Sequence, residues 1–121
     1  IQTLSGGERA RVMIARVRAR GGSVILADEP TAALDPHHQL AVIDTLKAEA
    51  RRGVLVIAVT HDLILASRFA DRVIVLSEGA LAGDGAPAEV LTDGLMRQVY
   101  GVTTHQVTLA DQTLILPWGL A

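Results

Sequence analysis

The sequence contains no cysteine. That excludes a disulfide scaffold, a thiolate zinc site and a cysteine nucleophile. Aromatic residues are nearly missing as well: Phe69, Tyr100 and Trp118 are the whole set in 121 residues. A core must therefore be aliphatic, built from Val, Leu, Ile and Ala, and there is no series of aromatics on which nucleobases could stack. Neither sign of charge is in large excess, since 11 Lys and Arg against 13 Asp and Glu leave a net charge of −2. A dedicated nucleic-acid binder normally shows a basic excess or stripe. Half of the residues are hydrophobic, yet no apolar run approaches the roughly 18 residues of a membrane-spanning helix. No signal-peptide pattern opens the chain. Repeats, low-complexity stretches and Pro- or Ser-rich linkers are also missing.

What is present fits an α/β chain of one domain at most. The length is enough to bury a real core. Ser5-Gly6-Gly7-Glu8 reads as a capping box opening a helix that runs to about Arg20, where Gly21-Gly22 stops it. Val24-Ile25-Leu26-Ala27 is a short apolar run of the kind buried on both faces of a parallel sheet. A second helix is expected over residues 36–52, with Pro36 in its first position and Leu40, Ile43, Leu46 and Ala50 as its apolar stripe. Residues 54–59 read as the next buried strand and 62–70 as a third helix. Residues 72–77 and 80–83 suit a strand pair around Glu78-Gly79. Residues 87–99 suit two short helices broken near Asp93-Gly94. In the tail, 106–109 and 113–116 suit a small hairpin around Asp111-Gln112. Alternation of strand and helix implies a mainly parallel sheet flanked by helices.

Ligands of open parallel sheets sit at the carboxyl ends of the strands. Both apolar strands end in polar residues there: Asp28-Glu29 after the first, Thr60-His61-Asp62 after the second. Of two adjacent carboxylates, one can hold Mg²⁺ through its waters. The other, pointing the opposite way along the strand, can deprotonate a water. A strand end that is merely acidic and solvated is the plainer alternative. A Ser-Gly-Gly helix start offers free amides and the positive end of a helix dipole to a phosphate, although Ser is also an ordinary cap. His61 can hydrogen-bond a phosphate oxygen or a water. The neighbouring His37-His38 lacks a third ligand at metal spacing and reads as solvated or helix-terminal. Five arginines on the first helix suit a solvated face better than a nucleic-acid face.

The order of these signals carries a resemblance. Leu4-Ser5-Gly6-Gly7-Glu8 resembles the signature motif of ABC-type ATPases, and VILADEP over residues 24–30 is similar to their Walker B strand with its following glutamate. Ala33-Leu34-Asp35 resembles their D-loop, and Thr60-His61-Asp62 their switch-histidine loop. The resemblance implies the P-loop NTPase fold and ATP with Mg²⁺ as ligands. It implies that Asp28 holds the Mg²⁺ shell, Glu29 polarises the attacking water and His61 contacts the γ-phosphate. Asp35 would couple two sites across a dimer. Ser5, Gly6, Gly7 and Glu8 would bind the ATP held by the opposite subunit. Phe69-Ala70-Asp71-Arg72-Val73, Glu78-Gly79 and the Gly83–Thr92 segment resemble the separate ATPase subunits of bacterial importers, and Tyr100-Gly101-Val102, the tail ending near Leu116-Pro117 and Pro36-His37-His38-Gln39 are most similar to the branch serving iron-siderophore, haem and cobalamin uptake.

The sequence also departs from the family. It carries no GxxxxGK[ST] phosphate loop, and Lys47 is its lone lysine. With Ile1 rather than Met at its start, the chain is expected to be the carboxyl-terminal part of an ABC ATPase domain over residues 1–121, with 101–121 as a hairpin tail. Alone, it should bind ATP weakly and not hydrolyse it. The resemblance implies a second ATP-binding subunit and membrane permease subunits as partners, a periplasmic binding protein acting indirectly, and no nucleic acid. The implied location is the cytoplasmic face of the inner membrane. Two alternatives stand beside this reading: a soluble ABC ATPase of DNA repair or translation, and a non-catalytic truncated remnant.

Overall fold

A computed structural model describes Glu8, Val12, Ala15, Arg16 and residues 21–121. Those four early residues divide between helical Glu8 and Val12 and helical Ala15 and Arg16, all within the stretch expected to be the first helix. The rest of that stretch, with Ser5, Gly6 and Gly7, lies outside the described residues. From there the order is β1 (Val24–Asp28), α1 (Pro36–Arg51), β2 (Leu55–Val59), α2 (Leu63–Phe69), β3 (Val73–Ser77), β4 (Ala80–Gly85), α3 (Pro87–Val90), α4 (Asp93–Tyr100), β5 (Val102–Leu109) and β6 (Gln112–Leu120). Contacts divide the chain into two compact units, Ile1–His61 and Asp62–Ala121.

In the first unit β1 and β2 pair in parallel, with Val24 opposite Leu55 and Asp28 opposite Val59. The connection is α1, which starts where Asp35 caps it and Pro36 takes the first turn. Ile25, Val42 and Leu46 form the buried cluster, with Leu34, Val54 and Val56 packed against it. Burying such a side chain stabilises by about 1.5–3 kcal/mol. The stripe of α1 differs from the expected one: Val42, Leu46 and Glu49 are its buried positions, whereas Leu40 is exposed. Nor are the two strands buried on both faces. Period-two alternation puts Ile25 and Val56 toward α1, while Leu26 is 76% exposed and Leu55 58% exposed on the opposite face. Among the described residues, α1 packs on one face of this strand pair and leaves the other face open.

In the second unit the strands pair antiparallel, β3 with β4 and β5 with β6. A bulge lies between Val75 and Leu76. The buried cluster is Val75, Val90, Leu91, Met96 and Ile115. Ser67 on α2 ties the last hairpin down: its Oγ donates to the Ile64 carbonyl at 3.0 Å and accepts from the Ile115 amide at 3.0 Å. That hairpin is longer than the tail reading, because its pairing runs from Val102–Leu120 to Leu109–Gln112. The break between α3 and α4 comes at Leu91 and Thr92, where Thr92 caps α4 by accepting from the Leu95 amide at 3.2 Å. Gly101, with φ 66°, closes α4 in the left-handed conformation that glycine adopts without steric cost.

Candidate functional site

The site is built at the carboxyl ends of β1 and β2. Asp28 ends β1 opposite Val59, and its side chain is exposed, on the same face as Val24 and Leu26. The Glu29 amide still donates to the Val59 carbonyl at 2.8 Å. There the strand geometry stops. Glu29 takes φ 47°, in the left-handed region, which costs a residue with a Cβ about 1–2 kcal/mol. The alternation expected to send Asp28 and Glu29 to opposite faces therefore does not govern Glu29. Its direction is set by the turn, in which its carbonyl accepts from the Ala32 amide at 3.1 Å.

The turn brings Glu29 to His61. The Nε2 atom of His61 lies 3.4 Å from Oε1 of Glu29. The imidazole is 82% exposed and the Glu29 side chain 34% exposed. Oε1 itself is shielded from solvent and makes no hydrogen bond among the described residues. The two facts agree, because a 3.4 Å approach without alignment is a close electrostatic contact and not a formed hydrogen bond. A shielded carboxylate oxygen without a donor is costly, and a site that a proton-bearing ligand or water completes offsets that cost.

Residues 30–35 carry the chain from Glu29 to α1. Thr31 is buried, and its carbonyl accepts from the Leu34 amide and from Nε2 of Gln39, both at 3.4 Å. Ala33 has φ 58°. Asp35 accepts from the His38 amide through Oδ1 at 2.9 Å and pairs with Nδ1 of His38 through Oδ2 at 2.8 Å. These two bonds, the backbone one foremost, hold the Asp35 carboxyl below the usual aspartate range. From the sequence His38 reads as solvated or helix-terminal, and the structure shows it bonded to the cap residue of α1. Its signal was the spacing Asp-Pro-x-His, a cap residue followed three positions on by a side chain able to bond back.

Of the expected site residues, Asp28, Glu29 and His61 stand at the carboxyl ends of β1 and β2, Glu29 and His61 in contact with each other, and Asp35 stands at the far end of the loop that Glu29 opens. Glu8 is helical and exposed. Ser5, Gly6 and Gly7 lie outside the described residues. Among the described residues no group of three or more His, Asp or Glu side chains gathers around a metal-sized space, and no helix is long and apolar enough to cross a membrane.

The ABC transporter family model matches residues 1–32. In fold, the chain is similar to a metal-chelate-type ABC transporter in an inward-facing conformation, with a TM-score of 0.84 and 25% identity, covering 99% of this chain and 49% of that one. It is also similar to an ATP-binding cassette in a dimeric post-hydrolysis state bound to ADP and Pi, with a TM-score of 0.60 and 39% identity over 71% of this chain and 37% of that one. The chain belongs to the ABC transporter ATP-binding family, and its fold is part of that family's P-loop NTPase domain.

Within the family it is similar to hemin import ATP-binding proteins. The relative from Rhodococcus jostii is 51% identical over 94% of this chain and 40% of its own length. The one from Nocardia farcinica is 50% identical over 95% of this chain and 41% of its own length. The one from Rhodopseudomonas palustris is 48% identical over 97% and 47% respectively. The chain thus spans less than half the length of each.

Proposed function

We propose that the chain supplies the strand-end acids, the switch histidine and the loop aspartate of an ATPase subunit that energises import of haem or a related metal chelate. The observation that carries this reading is the approach of His61 to the shielded oxygen of Glu29 at the ends of adjacent parallel strands. Relatives named as hemin import ATP-binding proteins, at 48% to 51% identity, support the transported class. Bound ATP with Mg²⁺ supplies the reactive γ-phosphorus and neutralises its charge.

The chain's own residues fit that task. Mg²⁺ keeps most of its waters and takes one or two carboxylates, and Asp28 is an exposed carboxylate with no side-chain partner among the described residues. Glu29 receives the proton of the attacking water at Oε1, whose lone pairs are not engaged by a hydrogen bond. His61, mostly exposed, holds a phosphate oxygen or that water within reach of Glu29. Asp35 couples the two sites of a dimer. Ser5, Gly6 and Gly7 bind the γ-phosphate of the ATP on the opposite subunit, and Glu8 completes that nucleotide-binding turn. Residues 1–121 act as a partial ABC ATPase domain with 101–121 as its tail. The partners are a second ATP-binding subunit and membrane permease subunits at the cytoplasmic face of the inner membrane, with a periplasmic binding protein delivering the chelate.

The test is ATP turnover by the native gene product reconstituted with its permease. Glu29→Gln is expected to lower kcat by about 10²–10⁴-fold, the usual worth of a general base, while nucleotide binding persists. Turnover unaffected by that change would sink the reading.

A further inference from the structure

We propose that His38 is a positioning residue that locks the Asp35 carboxylate, and with it the loop leading back to Glu29. The inference rests on the function proposed above for what the lock achieves, but its geometry stands independently. Capping a helix requires one carboxylate oxygen on one early amide. Asp35 does more: Oδ1 takes the His38 amide at 2.9 Å, and Oδ2 takes Nδ1 of the same residue at 2.8 Å. Both oxygens are held by one residue, so the carboxylate plane cannot rotate without breaking a bond.

The chemistry of the pair fixes the tautomer. An ionised carboxylate only accepts, so Nδ1 carries the proton. The neutral imidazole suffices for this, and the lock does not need a charged histidine. His38 is 28% exposed whereas Asp35 is 59% exposed. The holder is tucked in and the held carboxylate faces outward. His37 stands edge-on to the His38 ring at 5.3 Å, and the two histidines are the titratable groups that act on Asp35.

The same first turn of α1 grips the loop at a second point. Nε2 of Gln39 donates to the Thr31 carbonyl at 3.4 Å, and Thr31 is 5% exposed. At the other end the loop is tied through Glu29, whose amide donates to Val59 at 2.8 Å and whose carbonyl accepts from Ala32 at 3.1 Å. A segment fixed at both ends transmits the setting of Asp35 to Glu29. The outward carboxylate is thereby a rigid, charged contact, and Glu29 keeps its place beside His61.

Two measurements test this separately. In the native gene product without nucleotide, carbon-13 NMR of the Asp35 carboxyl follows its titration. His38→Phe should raise the midpoint part of the way toward the ordinary aspartate range, since the residue-38 amide still bonds Oδ1, and His38→Asn, which restores a donor at the δ position, should reverse most of that rise. In the native gene product, His38→Phe should lower kcat about tenfold with KM for ATP unchanged, His38→Asn should recover most of it, and in an Asp35→Asn background His38→Phe should add nothing further. A midpoint unmoved by His38→Phe overturns the lock. A moved midpoint with unchanged kcat overturns the positioning role. Failure of the ATPase reading shows instead as turnover insensitive to Glu29→Gln, and leaves the NMR result standing.

Discussion

His61 Nε2 stands 3.4 Å from Glu29 Oε1, although the two residues come from different strand ends and Glu29 has left strand geometry to make the approach. The contact holds little of the fold together, because the imidazole is 82% exposed and exposed charge pairs contribute little. Stability and chemistry should therefore separate at this position. His61→Ala is expected to shift folding stability by under about 0.5 kcal/mol, as exposed substitutions do. The same change should lower ATP turnover of the native gene product by roughly 10²-fold, the loss expected when one group that holds the reacting phosphate or its water is removed. Thermal melts beside steady-state assays would decide it, and a large loss of melting temperature would show that His61 is structural.

The loop between Glu29 and α1 stores backbone strain at Ala33, whose φ is 58°. Left-handed backbone costs an L-residue about 1–2 kcal/mol, whereas glycine adopts it freely and loses part of that gain to its own chain entropy. Ala33 is exposed, so no packing is lost on trimming it. Ala33→Gly should raise stability by about 0.5–1 kcal/mol, read as a higher midpoint in chemical denaturation. A lower midpoint would mean that the methyl group makes a contact of its own.

Much of this was legible in the sequence. Pro36 and the aliphatic run at residues 24–27 marked α1 and β1, because a first-turn proline and a bounded apolar run each have a local cause. The positions of Asp28, Glu29 and His61 at or just beyond strand ends were readable because they follow from where the apolar runs stop. What could not be read depended on packing and on single dihedral angles. The outer face holding Leu26 and Leu55 reads as buried from hydrophobicity, which does not say how many layers cover a strand. The left-handed turn at Glu29 has no residue signature, since neither glycine nor asparagine stands there. His38 needed the helix start to be fixed before its spacing to Asp35 meant anything.

Gly83 is set by close packing in the second unit. A Cβ placed there would stand 2.8 Å from Cγ1 of Val90 and 3.1 Å from Cδ2 of Leu95. Val90 is 7% exposed and β-branched, with little rotamer freedom to move aside. Gly83→Ala should therefore cost about 1–3 kcal/mol through overpacking. Adding Val90→Ala should cost less in that background than in the parent, because the new methyl fills part of the vacated volume. Strict additivity of the two changes in a denaturation cycle would contradict the clash.

Acid should weaken the fold through three aspartates held below their ordinary range. Asp35 is lowered by its bonds from His38, Asp84 chiefly by the Arg72 guanidinium that grips it at 2.7 and 2.8 Å, and Asp93 chiefly by Arg97, with help from the Thr104 amide. A carboxyl whose pKa is depressed on folding stabilises above its unfolded value, about 3.9, and that contribution fades as pH falls through the folded value. The melting temperature should hold between about pH 5 and 7 with respect to these groups and fall below about pH 4. Asp84→Asn should lower it at neutral pH and flatten the acid limb, since the variant has no proton to take up there. An acid limb of unchanged steepness in Asp84→Asn would show that the Arg72 pair contributes nothing to the pH dependence.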